Sequence, residues 1–433
     1  NVGVSRILDF IAKYGSSPVD RATVAAKSSN GSDVTVALDD GQTVAFVFKT
    51  MHEHHVGNLS FFRVYSGDVT SGSELINVNR GESERVGQLY RVNGSAREPV
   101  SSLHAGDIGA VVKLRATRSG DTLCAAARQV TLPVVDFPEP NTRGGLVAKS
   151  KADLNKLGEG LAALMEEDPT FEHHFDPELG QTIVSGQGWL QLQIMAEELK
   201  RRFNVEVELV EPKVSYRATI SGRGESKYRH KKQTGGAGQF AEVWMRIESL
   251  PAESGLVFTQ SLVGSNVDRV FVPSVEKGVN TACAAGPYGG FPVTDVKVDF
   301  YDGKQHPVDS KDIAFQIAGK AAFYEAFMMS RPKLMEPVME LRIKVPSDAV
   351  GGVLADLSGR RGRIMGMETE GRFEVVVAQV PQAELYQYSS QLRAITSGRG
   401  RHREKFVRYE DVPKEQEPKI IAEHGRKTVA VDE

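Results

Sequence analysis

The residues best suited to chemistry in this chain are cations. Between Gly222 and Lys232, Arg223, Lys227, Arg229, Lys231 and Lys232 stand against the single acid Glu225, a local net charge of +4. The run passes into Gln233-Thr234-Gly235-Gly236-Ala237-Gly238-Gln239, whose glycines let backbone approach a partner closely. Arg360, Arg361 and Arg363 form a second cluster. A third, Arg393, Arg399, Arg401, Arg403, Lys405 and Arg408 against Glu404, sums to +5 and is interleaved with Gly398 and Gly400. Arginine contacts phosphate bidentately and stacks on bases, and a flexible basic loop suits a phosphate backbone better than a small substrate. A solvated charged loop explains any one run equally simply; three runs on separate elements favour a nucleic-acid partner. Tyr228 and Phe240 offer rings for stacking beside the first run, with core packing the competing assignment for Phe240.

Other chemistries lack their residues. No GxxxxGK[ST] occurs, since Gly303-Lys304 is followed by Gln305 and Gly319-Lys320 by Ala321, so no P-loop nucleotide site and no enzyme are expected in this chain. Gly236 to Ala241 fits GxGxxA, but charged residues precede it and Val243, Met245 and Ile247 alternate like a strand after it, against a dinucleotide fold. His52, Glu53, His54 and His55 have no partner cluster at ligand spacing and read as a polar loop; His173-His174 reads the same way, because neighbours on a strand point to opposite faces. No metal site, no Gly-x-Ser-x-Gly elbow and no acid/base pair emerge. Trp189, Trp244 and the methionines read as packing residues.

The whole chain bounds these readings. Its 433 residues suggest about three domains. Apolar residues at 40% and charged ones at 25% are near globular averages, and no apolar run approaches the ~18 residues of a membrane span. With 53 basic and 56 acidic residues the net charge is −3, which taken alone argues for neither a nucleic-acid binder nor an acidic tail, so the local patches carry that reading by themselves. Cys124 and Cys283 make neither a disulfide framework nor a CxxC pair, which fits a reducing, cytoplasmic setting. A start at Asn1 with no charged leader reads as a processed or truncated end.

The elements that must position the cations follow from periodicity. Residues 1–40 read as the remnant of an upstream domain, with Ile7, Leu8, Phe10 and Ile11 on a short helix, and a linker. Over 41–135, strands Val44 to Phe48, Leu59 to Val64, Ser73 to Val78 and Gly109 to Leu114 at roughly ten-residue spacing predict a β-barrel. Over 143–211 the order is strand, helix, strand, strand, helix, strand, with stripes Leu154, Leu157, Leu161, Leu164 and Trp189, Leu192, Met195, Leu199, Phe203. The order returns over 336–412, where Ser347 reads as a helix cap and Ala383 to Ile395 as one helix. Two ferredoxin-like βαββαβ modules therefore flank a 213–335 α+β segment with helices near 274–285 and 310–328; 413–433 reads as a mobile tail.

Ordered stretches then resemble one family along nearly the whole chain. Gly57-Asn58-Leu59-Ser60-Phe61-Phe62-Arg63 and Ala105-Gly106-Asp107-Ile108-Gly109 are similar to the second domain of translation elongation factor G. Glu166-Glu167-Asp168-Pro169-Thr170-Phe171 and Gly180-Gln181-Thr182-Ile183-Val184 resemble its third. Gln233 to Gln239, Pro273 to Gly278 and Tyr301 to His306 with Val308-Asp309-Ser310 resemble its fourth. Leu334-Met335-Glu336-Pro337, Arg360 to Glu368 and Gln391-Leu392-Arg393 with Gly398-Arg399-Gly400 resemble its fifth.

The resemblance implies a multidomain α+β protein: a translation-protein type β-barrel, then two ferredoxin-like modules flanking a ribosomal protein S5 domain 2-like domain. It implies the ribosome-binding portion of a GTP-driven translocase, a cytoplasmic monomer without membrane contact, with GTP and Mg held by a G domain absent from this chain. Its partners would be both ribosomal subunits (16S and 23S rRNA), tRNA and mRNA. By matching position, Lys231, Lys232, Gln233, Thr234, Gly235, Gly236, Gly238, Gln239, His306 and Asp309 would form a tip on tRNA and mRNA, although His306 has a turn-capping alternative. Arg360, Arg361, Arg363, Arg393, Arg399 and Arg401 would face ribosomal RNA. Three departures point toward a paralogue acting in recycling, rescue or tetracycline-type ribosome protection. Gly186-Gln187-Gly188-Trp189-Leu190-Gln191-Leu192-Gln193 replaces the family's Gly-x-Gly-Glu-Leu-His-Leu-Glu, Ala237 replaces a common Arg, and Asp268-Arg269 stand where Pro-Lys is usual. A stand-alone RNA-binding scaffold is the alternative of another class.

Overall fold

A computed structural model describes residues 3–53, 57–232 and 238–425. The chain forms two units, Asn1–Phe175 with Thr182–Val210, and Asp176–Gln181 with Glu211–Glu433.

In the first unit, helix Val4–Tyr14 buries none of its residues. The next segment is more than a linker: strands Thr23–Ser28 and Asp33–Ala37 pair with each other, and Thr23–Ser28 pairs with Val130–Thr131. Ala26 and Val36 share a core with Val44, Phe46, Val130 and Leu132, which is why apolar residues occur there at all. The barrel strands run in the order Glu82–Arg85, Glu74–Asn77, Thr122–Cys124, Val44–Glu53, Gly57–Ser66, Ile108–Val112, Leu89–Asn93, Ala96–Val100. A ribbon of Asp68–Thr70 and Ser102–His104 adds Val69 and Leu103 to the same core as Val47, Phe62, Val64 and Val111.

The first ferredoxin-like module has sheet order Glu172–Asp176, Gln181–Gly186, Thr142–Ala148, Val207–Val210, the split βαβ arrangement. Ser150 opens helix Lys151–Glu167 by accepting from Asp153 N at 3.1 Å. Leu157, Leu161 and Leu164 are buried with Phe171, Leu192 and Leu199. Leu154, expected on the same stripe near the start of the helix, is 57% exposed. His52 and Glu53, expected in a polar loop, instead finish barrel strand Val44–Glu53, where the His52 ring stacks on Phe203 at 5.8 Å; His54 and His55 lie outside the described residues.

In the second unit, a sheet of Arg223–Lys232, Gln239–Ser249, Val296–Lys304 and Leu256–Gln260 is covered by helices Val272–Ala285 and Asp312–Met329. These helices begin at 272 and 312 where periodicity suggested about 274 and 310. They approach closely through Gly278, where a Cβ would lie 2.2 Å from Gln316 O. The second ferredoxin-like sheet contains Arg401–Asp411, Pro332–Pro346, Phe373–Pro381 and Arg363–Glu370, and Arg217–Ile220 also pairs with Pro332–Pro346. Ser347 caps nothing with its side chain: it opens a 3-10 turn, Ser347–Ala349, ahead of helix Val350–Gly359. The expected helix from Ala383 is split into a 3-10 turn Gln382–Leu385 and helix Tyr388–Ile395, because Gln387 adopts φ 54° between them. Part of the expected tail is instead regular structure, and residues 426–433 lie outside the described residues. Helix Glu417–His424 packs Ile420 into the core of the unit, an anchor too small for periodicity to reveal.

Candidate nucleic-acid interface

The first basic run is one strand of a hairpin, so its residues divide by face. Ser226 and Tyr228 turn toward the helices, Ser226 Oγ donating to Ala322 O at 2.6 Å and Tyr228 packing on the core. Tyr228 is thereby withdrawn from the stacking role. Arg223, Lys227, Arg229 and Lys231 face outward, opposite Glu248, Trp244, Glu242 and Phe240. Much of the net charge is met locally. Arg223 pairs with Glu248 at 3.4 Å and Arg229 with Glu242 at 2.6 Å, while the Lys227 ammonium lies 4.1 Å from the centre of the Trp244 ring. Burial would raise the Glu242 carboxyl, but bonds from Trp244 and Arg229 outweigh it and hold the group below the ordinary carboxylate range. Lys231 and Lys232, exposed at the strand's end, have no ion pair among the described residues.

The two loops at that end are tied together. Phe240 N donates to Asp309 O at 3.0 Å. Ser310 Oγ donates to Phe240 O at 2.7 Å and accepts from His306 N at 2.8 Å. A Cβ on Gly238 would stand 2.8 Å from the Asp309 carboxylate, which would have to move to admit it. His306 does cap its turn, Nδ1 accepting from Val308 N at 3.3 Å and Asp309 N at 3.2 Å. The ring is half exposed, and Nδ1 also lies 3.4 Å from an Asp309 carboxylate oxygen. Gln239 Oε1 is 3.1 Å from His230 Nε2. Gln233, Thr234, Gly235 and Gly236 lie outside the described residues, as does Ala237. Ser310 is the residue that sequence reasoning passed over as a site; a serine that bridges two loops leaves no periodic signal.

The C-terminal cations separate into two kinds. Arg360 bonds Asp356 at 2.9 Å and Glu384 O, with its guanidinium 5.2 Å from the centre of the Tyr388 ring. Arg361 grips Glu336 through two bonds of 2.6 and 2.9 Å and Glu384 through a third of 2.9 Å. Bonding to Glu336 first, and to Glu384, holds its guanidinium above the ordinary arginine range. Both are spoken for internally, so the RNA-facing expectation for Arg360 and Arg361 gives way to a structural role. Arg363 is 69% exposed with Glu410 at 3.2 Å, and Arg399 meets Asp348 at 2.9 Å in an exposed pair. Arg393 and Arg401 are exposed. The described residues contain no group of three or more metal-ligating side chains and no helix long and apolar enough to cross a membrane.

In the segment Gly186 to Gln193, Gln191 is the centre of a hydrogen-bond network. Gln191 Oε1 accepts from Gln187 N at 2.6 Å, and Nε2 donates to Asp168 at 2.7 Å and Thr170 at 2.9 Å.

Four family models match consecutive stretches: Elongation factor G domain 2 over 42–126, domain III over 137–211, domain IV over 212–331 and the C-terminus over 333–420. A crystal structure of a protein from Thermus thermophilus superposes with a TM-score of 0.78 at 34% identity, covering 97% of this chain and 61% of that one. The chain thus spans about three fifths of that relative's length.

Proposed function

The chain belongs to the elongation factor G family, and from that premise we propose that it is the ribosome-binding portion of a translational GTPase that promotes movement of tRNA and mRNA. The observation that carries the proposal is the tip, where Ser310 ties the loop bearing His306 to the hairpin bearing Lys231 and Lys232. Its task would be to occupy space and hold phosphates, with no bond chemistry. GTP and Mg would be held by a domain outside these residues, and tRNA, mRNA and the RNA of both subunits would be its contacts.

Co-sedimentation with ribosomes over a salt series tests this. Binding should fall steeply with salt, and Lys231→Ala/Lys232→Ala should flatten the plot of log affinity against log salt by ~1.4–1.8, two phosphate contacts. Ribosome binding that ignores both salt and the double variant would overturn it. The amide at Gln191, held by Asp168 and Thr170, and the loss of carboxylates at Trp189 and Gln193 favour a second reading, a paralogue in recycling, rescue or tetracycline-type protection. Peptide elongation driven by the intact protein separates the two: a diverged paralogue would bind ribosomes without sustaining elongation.

A further inference from the structure

We propose that a cavity in the second unit, walled on one side by the end of the C-terminal helix, is a binding site for a small aromatic zwitterion, an aromatic α-amino acid. The cavity encloses about 280 Å³, and Glu178, Lys213, Tyr216, Phe291, Glu423 and His424 are among the residues that line it. Four separate segments of the chain meet there, and each is fixed through its own backbone. Asp176 Oδ1 accepts from Glu178 N and Leu179 N, both at 2.9 Å, and Gln181 Oε1 accepts from Lys213 N at 2.9 Å. Gly290 N donates to Gly286 O at 3.1 Å, and Gly425 N to Ile421 O at 2.9 Å. The walls therefore stand before a ligand arrives, which spares binding the cost of ordering loops. Ligand pockets start near ~300 Å³, so this one has room for a single small molecule.

The lining sets the chemistry. Tyr216 and Phe291 are almost wholly buried, edge to face with ring centres 5.7 Å apart, and the exposed His424 ring lies 5.9 Å from that of Tyr216. Three rings on one cavity suit a flat apolar group. The ionised groups of the lining cancel in number. Arg217 grips both oxygens of Glu178 and neutralises it. Lys213 is the cation left over: its ammonium donates to Leu179 O at 3.0 Å and has no ion pair among the described residues, so two of its three N–H donors remain for a ligand. Glu423 is the anion left over: its oxygens lie 4.0 Å from the Lys419 ammonium and 3.9 Å from His424 Nε2, beyond hydrogen-bond reach. A ligand with a single charge would match one of these residues and be repelled by the other. A molecule with a carboxylate for Lys213, an ammonium for Glu423 and a ring for the aromatic wall matches all three. A nucleotide would bring its phosphates against two carboxylates and one lysine.

This site is independent of the proposed function, which requires no small ligand. Because Glu423 and His424 close the C-terminal helix, an occupied cavity would tie that helix to the segments at Glu178, Lys213 and Phe291. The melting temperature of the full chain should therefore rise as the ligand saturates it. Titration calorimetry with L-phenylalanine, L-tyrosine and L-tryptophan in turn measures binding directly, and at least one of them should bind saturably. For that amino acid, its decarboxylated amine, its deaminated acid and glycine lack the carboxylate, the ammonium and the ring in turn, and each should bind at least ~10-fold more weakly. Lys213→Met and Glu423→Gln, both at exposed positions, should each weaken the amino acid ~10-fold or more while leaving the unliganded melting temperature unchanged. No saturable binding by any of the three amino acids would overturn the proposal, as would binding that survives both variants. An amine or an acid that binds as tightly as its parent amino acid would overturn the zwitterion and assign the cavity to a singly charged ligand.

Discussion

Arg361 illustrates how one side chain can be chemically suited to RNA and still be committed elsewhere. It sits just past helix Val350–Gly359 at φ 56°, a left-handed position where glycine is the usual residue and where a side chain costs ~1–2 kcal/mol. The chain tolerates that strain because the guanidinium pairs with Glu336, whose side chain is only 4% exposed. Arg361→Ala would keep the strain and leave Glu336 buried without its partner, so a loss of ~3–5 kcal/mol is expected in urea unfolding. Arg361→Lys should recover part of it, since an ammonium cannot reproduce the fork. A stability within error of wild type for Arg361→Ala would show that Glu336 finds another partner. In sequence, Arg360, Arg361 and Arg363 are indistinguishable; only the fold shows that the first two point inward and the third outward, because the pairing with Glu336 joins residues 25 apart.

The hairpin Arg223–Lys232/Gln239–Ser249 and the loop 304–311 show which parts of an element can be read in advance. Alternation along Val243, Met245 and Ile247 gave the strand, and the basic run marked its partner. The tie between the loops had no signal, because it depends on a serine hydroxyl reaching a backbone carbonyl 70 residues away, Ser310 Oγ on Phe240 O, beside a glycine that leaves room for the Asp309 carboxylate. Ser310→Ala removes one acceptor and one donor while leaving the backbone bond from Phe240 N to Asp309 O. It should cost ~1–2 kcal/mol and separate the two loops. Gly238→Ala forces the Asp309 carboxylate to move. Both variants should weaken ribosome co-sedimentation while retaining Lys231, Lys232 and the overall charge, and Ser310→Thr should restore it. Full binding by Ser310→Ala would mean that the loops act independently. The barrel and both ferredoxin-like modules were legible because period-2 and period-3.6 patterns recur; the split at Gln387 and the strands at 23–37 were not, since a single backbone angle leaves no pattern and strands of six and five residues are too short to establish a period.

A net charge of −3 conceals separate basic faces because acids are distributed over the rest of the surface, and within the second unit the same dispersal hides how its parts are joined. Strand Pro332–Pro346 pairs near its start with Arg217–Ile220 and farther on with Arg401–Asp411, so the middle domain and the C-terminal module share one strand. Helix Glu417–His424 closes that junction. The buried Glu417 carboxylate accepts from Tyr288 OH at 2.9 Å and from Leu334 N at 3.1 Å. Burial, reinforced by Glu417, pushes the Tyr288 phenol up to about 12, against about 10 for an unfolded tyrosine. A raised folded-state value means that the neutral phenol is stabilised: its contribution is complete below about pH 10 and disappears as pH rises toward 12. Tyr216, pushed up to about 12 chiefly by burial and then by Glu336, titrates in the same window. Stability should therefore fall between about pH 10 and 12, and Tyr288→Phe should make that fall shallower without abolishing it, because Tyr216 remains. Urea midpoints against pH, followed alongside phenolate absorbance, measure both. A Tyr288→Phe profile parallel to wild type across that window would show that the hydroxyl does not hold the junction, and the C-terminal helix would then be kept in place by the Leu334 N bond to Glu417 and the packing of Ile420 and Ile421.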